Sequence, residues 1–144
     1  MNAYLSASLS RCEPHQRIIV SKEKQMKHIA NNVSQNAVRH YKIDGDVIVG
    51  IQTDKCDYLV TNDIKHTAYF IELKKPGDIK KAIDQIETTI ELLRNELIGY
   101  TFHCRVVAKK YPAVYDSITI TYKNKCKLRK GSFVVKNEKL EEDI

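Results

Sequence analysis

The sequence predicts an α/β domain, with a mixed β-sheet flanked by helices in the order αβββαβ and a basic C-terminal β extension. Three observations predict it. An amphipathic repeat runs from Ile79 to Leu97, two strand-like segments joined by a short turn precede it, and another strand-like segment follows. At 144 residues the chain suits one ordinary domain and is short for two. Apolar residues make up 42%, enough for a core, and the 3 Pro and 5 Gly argue against widespread disorder.

The elements follow in order. Ser21 is placed to cap a helix over about Lys22 to Arg39, where Met26, Ile29/Ala30, Val33 and Ala37/Val38 recur at helical spacing. Asp44-Gly45-Asp46 reads as a turn before a strand from Val47 to Ile51, and Thr53-Asp54-Lys55 as a second turn. Asp57 to Thr61 is strand-like, Asn62-Asp63 to His66 a turn, and Thr67 to Lys74 a longer strand rich in β-branched and aromatic residues. Pro76-Gly77 ends that strand, and Asp78 can cap the next helix.

In that helix Ile79, Ala82/Ile83, Ile86, Ile90, Leu93 and Leu97 share one side, and Gly99 is a stop signal. Phe102 to Ala108 reads as a strand, Tyr111-Pro112 as a break, and Ser117 to Tyr122 as another short strand. Residues 1–144 thus form one unit: a core over about 21–110, a basic extension over 111–136 and an acidic tail over 137–144.

Composition excludes several functions. No stretch approaches a membrane span, and Met1 to Ser10 lacks a basic leader followed by a long apolar segment, so a cytoplasmic protein is expected. Cys12, Cys56, Cys104 and Cys126 form no Cys-x-x-Cys pair, which argues for reduced, partly buried thiols rather than zinc or a disulfide framework. The five histidines show no metal-binding spacing, and His28 and His66 are expected at the surface. No glycine-rich phosphate loop is present in the sequence.

Charge is uneven. Residues 1–100 carry 14 Lys/Arg against 13 Asp/Glu, residues 101–136 carry 9 against Asp116 alone, and the last eight reverse to one Lys against four acids. The basic stretch suits a polyanion. Within it Tyr111, Tyr115 and Tyr122 lie among Lys109, Lys110, Lys123, Lys125, Lys127, Arg129 and Lys130, a pattern that fits backbone clamping and base stacking, or plain strand packing.

The chemistry gathers at Glu72-Leu73-Lys74. Side chains alternate along a strand, so Glu72 and Lys74 share a face, and Asp57 lies a hairpin upstream. Mg²⁺ is a small, hard cation that takes oxygen ligands and keeps several waters. Asp57 and Glu72 can supply two carboxylate oxygens to it, and the Leu73 carbonyl a third. Lys74 could orient an attacking water and offset charge in the transition state of phosphodiester cleavage.

These residues, and the stretch from Phe70 through Glu72-Leu73-Lys74-Lys75-Pro76-Gly77-Asp78 to Ile86, resemble the restriction-endonuclease-like PD-(D/E)xK nucleases. Small uncharacterised members and archaeal Holliday-junction resolvases look most similar. The resemblance implies that Asp57 and Glu72 hold Mg²⁺ (with Mn²⁺ as a substitute) and that Lys74 is the catalytic lysine. It also implies a homodimer acting on duplex or branched DNA.

Cys56 stands where the motif's name has proline, and Asp54 is a rival ligand to Asp57. In many relatives a first-helix glutamate joins the site; here Glu23 either does so or simply sits favourably in a first helical turn. Gln85 either hydrogen-bonds across the site or is solvated; some relatives follow such a Gln with Tyr four residues on, where this chain has Thr89. Lys75, Lys80 and Lys81 lie where DNA phosphates would approach, or serve solubility. Two other functions remain open: a catalytically inactive nucleic-acid-binding module, and a protein-interaction domain of a defence or mobile-element system.

Overall fold

The computed structural model describes residues 3–50, 54–74, 79–109 and 117–144, with only the backbone of Lys74. The expected Pro76-Gly77 stop, the Asp78 cap, Lys75, Ile51, Thr53, Tyr111-Pro112 and Tyr115 lie outside the described residues. The elements are β1 (Ile18–Glu23), β2 (Met26–Asn31), β3 (Val38–Lys42), β4 (Tyr58–Asn62), β5 (Thr67–Lys74), α1 (Ile79–Leu93), a 3-10 turn (Arg94–Glu96), β6 (Thr101–Ala108), α2 (Ser117–Leu128), β7 (Ser132–Asn137) and β8 (Lys139–Asp143).

Two sheets and two helices build a mixed α/β fold. The larger sheet has the order β3-β4-β5-β6-β7. Its first three strands form an antiparallel meander, whereas β5, β6 and β7 run parallel, with α1 and α2 as the crossovers. The smaller sheet has the order β1-β2-β8: β1 and β2 are an antiparallel hairpin, and β8 lies parallel to β2.

The large sheet is covered on both faces, as its strands demand. Along β5, Ala68 and Phe70 join a core with Leu59, Cys104 and Val106 against Ala82, Ile86 and Leu93 of α1 and Tyr122 and Cys126 of α2. Tyr69, Ile71 and Leu73 alternate to the other face and meet Ile19, Met26, Ala30 and Leu140 of the small sheet. Strands buried on both faces need near-continuous apolar sequence, which β4 and β5 have.

Polar groups also pack between the two sheets. Glu142 on β8 accepts hydrogen bonds from Arg105 Nε at 2.8 Å and Nη2 at 3.0 Å, and lies 2.7 Å from His28 Nε2. Arg105 Nη1 donates to the carbonyls of Cys104 and Ser132, and its guanidinium lies 5.4 Å from the Tyr69 ring centroid. Nearby, Ser21 Oγ and His40 Nε2 are 2.9 Å apart, and His40 stacks on Tyr58. Burial, reinforced by the Arg11 charge, pulls His40 down to about 4, so the ring is neutral at physiological pH.

The structure corrects several expectations. Residues 22–39 hold the end of β1, all of β2 and the start of β3 rather than a helix: Ile19, Ser21, Met26, His28 and Ala30 are buried at spacing two within their strands, so Ser21 is a core residue and no cap. His28, expected at the surface, is fully buried. Val47 is not in a strand; after the Asp44-Gly45-Asp46 turn, only an isolated bridge joins Asp44 and Ile48. Ser117 to Tyr122 opens α2 instead of forming a strand, with Thr119, Tyr122 and Cys126 buried along one side of the helix. The acidic tail is β8, whose Glu142 anchors the two sheets to one another.

Candidate active site

In parallel sheets, ligands bind in the crevice outside the carboxyl ends of the strands. That edge here gathers the ends of β5, β6 and β7, the end of β3, the start of β4 and the first turns of α1 and α2. The β1–β2 hairpin tip reaches it too, because Lys27 N–H donates to the Glu138 carbonyl between β7 and β8.

Asp57 and Glu72 meet at this edge. The β4–β5 ladder ends with Tyr58 opposite Ile71, and just beyond it the Asp57 side chain meets that of Glu72. Glu72 continues the face on which Phe70 meets the helices. Asp57 Oδ2 accepts the Leu73 N–H at 2.8 Å, its own N–H donates to the Ile71 carbonyl at 3.1 Å, and its carbonyl accepts the Ile43 N–H at 2.8 Å. The aspartate is thus fixed by its backbone and its side chain.

Glu72 is 3% exposed, and its carboxyl is hydrogen-bonded to that of Asp57. Burial raises the Asp57 carboxyl above its ordinary value, and the charges of Glu23 and Asp44 push the same way. The Leu73 N–H and the Glu72 hydrogen bond oppose this without cancelling it. Two adjacent carboxyls, one buried and one half-buried, cannot both carry bare charge cheaply; they share a proton or neutralise a cation. In a strand the N–H and C=O of one residue face the same neighbour, so the Leu73 carbonyl is directed past the end of β4, on the side where Asp57 receives its N–H.

The remaining candidates are placed less directly. Lys74 holds the last register position of β5, two residues beyond Glu72, and its side chain lies outside the described residues. Gln85 is half-buried on α1, one turn before Thr89. Glu23 ends β1 on the small-sheet side, 3.8 Å from Lys42 Nζ, so it acts on Asp57 as a charge from behind the sheet and not as a third helical carboxylate. Asp54 lies 3.7 Å from Lys81, and Lys80 pairs with Asp84 at 3.2 Å. Cys56 is wholly buried and its thiol is pushed far up by burial, which leaves no thiolate nucleophile.

Thr89 and Asp44 are neighbours that the sequence reading did not single out. Thr89 Oγ1 accepts the Cys56 N–H at 2.9 Å and donates to the Gln85 carbonyl at 2.8 Å, tying α1 to the residue before Asp57. The available signal was a lone hydroxyl on the apolar stripe of α1. Thr89→Val is expected to lower stability by about 1–3 kcal/mol, because the buried Cys56 N–H loses its acceptor, with Thr89→Ser close to wild type. Urea unfolding measures this, and a Val variant as stable as wild type would refute the role.

The basic extension is partly absorbed into structure. Glu87 of α1 accepts bonds from both Arg129 Nη atoms at 2.8 and 2.9 Å, lies 2.8 Å from Lys125 Nζ, and is 2.9 Å from the buried Tyr122 hydroxyl. Burial works against its charge, yet Arg129, Lys125 and Tyr122 hold Glu87 down to about 2. Tyr122 is therefore a core residue, not a stacking platform.

Among the described residues no group of three or more His, Cys, Asp or Glu side chains could hold a metal ion, and no helix is long and apolar enough to cross a membrane. Comparison with family models, with curated proteins and with solved structures finds no match for this chain.

Proposed function

We propose that this chain is a Mg²⁺-dependent endonuclease that hydrolyses DNA phosphodiester bonds and works as a homodimer, so that two sites face two strands. The observation that carries this reading is the Asp57–Glu72 pair, a half-buried and a buried carboxyl side by side where β5 ends in a mixed sheet, with the Leu73 N–H bound to Asp57. The β3-β4-β5-α1-β6 succession also supports a restriction-endonuclease-like core. The β1–β2 hairpin stands where that core has its first helix, so the likeness rests on that succession alone.

The donor set fits a hard cation. Two carboxylates and a backbone carbonyl are oxygen ligands, and a small count suits an ion that keeps several waters. A bound Mg²⁺ would polarise the scissile phosphate and make an attacking water more acidic. Asp57 and Glu72 would hold it, using charge that is otherwise costly at this buried edge. Lys74, assigned from its register position, would orient the water and offset charge on the phosphoryl oxygens. Gln85 would accept or donate a hydrogen bond from the helix side, on a turn that Thr89 fixes to Cys56.

The test is cleavage of supercoiled, linear and four-way-junction DNA in Mg²⁺ or Mn²⁺. Wild type is expected to cut, and Glu72→Ala and Lys74→Ala each to fall by about 100-fold or more. Cleavage that survives both substitutions would overturn the assignment. DNA binding by wild type with no cleavage on any substrate would replace it with a module that binds without turnover.

A further inference from the structure

The tip of the β1–β2 hairpin is fastened beside the edge that carries the candidate site. Glu23 pairs with Met26, leaving a two-residue turn, Lys24-Gln25, in which Lys24 takes a positive φ of 55°. A tight turn of this kind fixes both strands in register. Both flanks are fastened: the Tyr58 hydroxyl donates to the Lys22 carbonyl at 3.2 Å, one residue from Asp57, and Lys27 N–H donates to the Glu138 carbonyl at 3.0 Å.

Alternation then sorts the charges. Ile19, Ser21 and Glu23 turn toward the large sheet, where Glu23 meets Lys42. Lys22 turns outward and is exposed, as are Lys24 and Gln25 at the tip. The hairpin therefore presents cations beside the edge that holds the adjacent Asp57 and Glu72 carboxyls, and its own acid faces inward.

We infer that the β1–β2 hairpin tip is a DNA-backbone contact, in which Lys22 and Lys24 hold phosphates flanking the one that reaches Asp57 and Glu72. The inference rests on the nuclease reading and adds to it the element that sets the approach of the duplex. A phosphate contact gives affinity without sequence preference, and each one neutralised steepens the salt dependence of binding by about 0.9 in log–log slope.

The experiment is duplex DNA binding in chelator, where no cleavage intervenes, across a salt series. Lys22→Ala/Lys24→Ala is expected to make the slope shallower by roughly 2. Lys65→Ala/Arg94→Ala removes two charges at the opposite end of the molecule, in the β4–β5 turn and after α1, and should leave the slope at wild type. A hairpin variant with the wild-type slope overturns the inference, as does equal loss in both variants, or no binding by wild type. Because the readout needs no metal, a hairpin-dependent slope in a protein that never cuts DNA would uphold this inference while ending the nuclease reading.

Discussion

Asp57→Asn is expected to abolish most metal-dependent cleavage, by about 100-fold or more, while raising the melting temperature of the metal-free protein. The asparagine Oδ1 can still accept the Leu73 N–H, so the geometry of the β4–β5 end survives. The change removes the half-buried member of two adjacent carboxyls and its repulsion from Glu23 and Asp44. Substitutions that relieve a strained functional site commonly gain about 0.5–2 kcal/mol, a few degrees at this chain length.

The pH dependence follows from the sign of the shift. A carboxyl raised in the folded state binds its proton more tightly there than when unfolded, so its contribution favours folding at low pH. That contribution is lost as pH rises from the ordinary aspartate range through the raised folded value. Asp57→Asn should flatten this part of the stability curve. Mg²⁺ should raise the wild-type melting temperature and move the variant less, since stabilisation by a ligand scales with its affinity. A variant that melts lower without metal, or gains as much from Mg²⁺ as wild type, would remove Asp57 from the centre.

The second large effect is structural. Glu142→Gln is expected to cost roughly 3–5 kcal/mol, because it leaves Arg105 as an uncompensated buried charge. Arg105 is 5% exposed and His28 fully buried, so neither reaches water without moving a sheet. Burial disfavours the Glu142 charge, but His28 and Arg105 overcome it and hold the group down to about 2. A depressed carboxyl contributes stability above its unfolded value that is lost as pH falls through its folded one. Wild type should therefore weaken between the ordinary glutamate range and about pH 2, and Glu142→Gln should weaken much less there. Denaturation midpoints across pH measure both, and a Gln variant within about 0.5 kcal/mol of wild type would show the network to be dispensable.

What the sequence disclosed depended on whether polar or apolar residues fill the buried positions. On α1 the stripe is almost wholly Ile, Ala and Leu, so its period was plain. β5 was legible for the same reason: apolar residues face both ways up to Leu73. In β1 and β2 the buried positions include Ser21 and His28, while Ile18 and Val20 face solvent. Hydrophobicity there follows a helical period by accident, and the true period of two is carried by side chains that hydrogen-bond across the layer to His40 and Glu142.

The α2 segment failed in the opposite sense. Ser-Ile-Thr-Ile-Thr-Tyr has strand composition, but Ile118 and Ile120 are exposed and the packing of Thr119, Tyr122 and Cys126 decides for a helix. Glu142 could not be recognised as Arg105's partner because nothing local in the acidic tail signals a strand from the other end of the chain.

That distance has a kinetic consequence. β8 joins β2 in parallel, His28 beside Leu140, across more than a hundred intervening residues, whereas the β3–β4 and β4–β5 pairings join segments much closer in the chain. Loop-closure entropy makes the first pairing a late event and the second an early one. Until the last strand docks, β2 exposes an open hydrogen-bonding edge beside Ile29, a surface on which nascent copies could pair wrongly. Completion of the edge that carries the hairpin thus waits on a pairing between segments far apart in the chain.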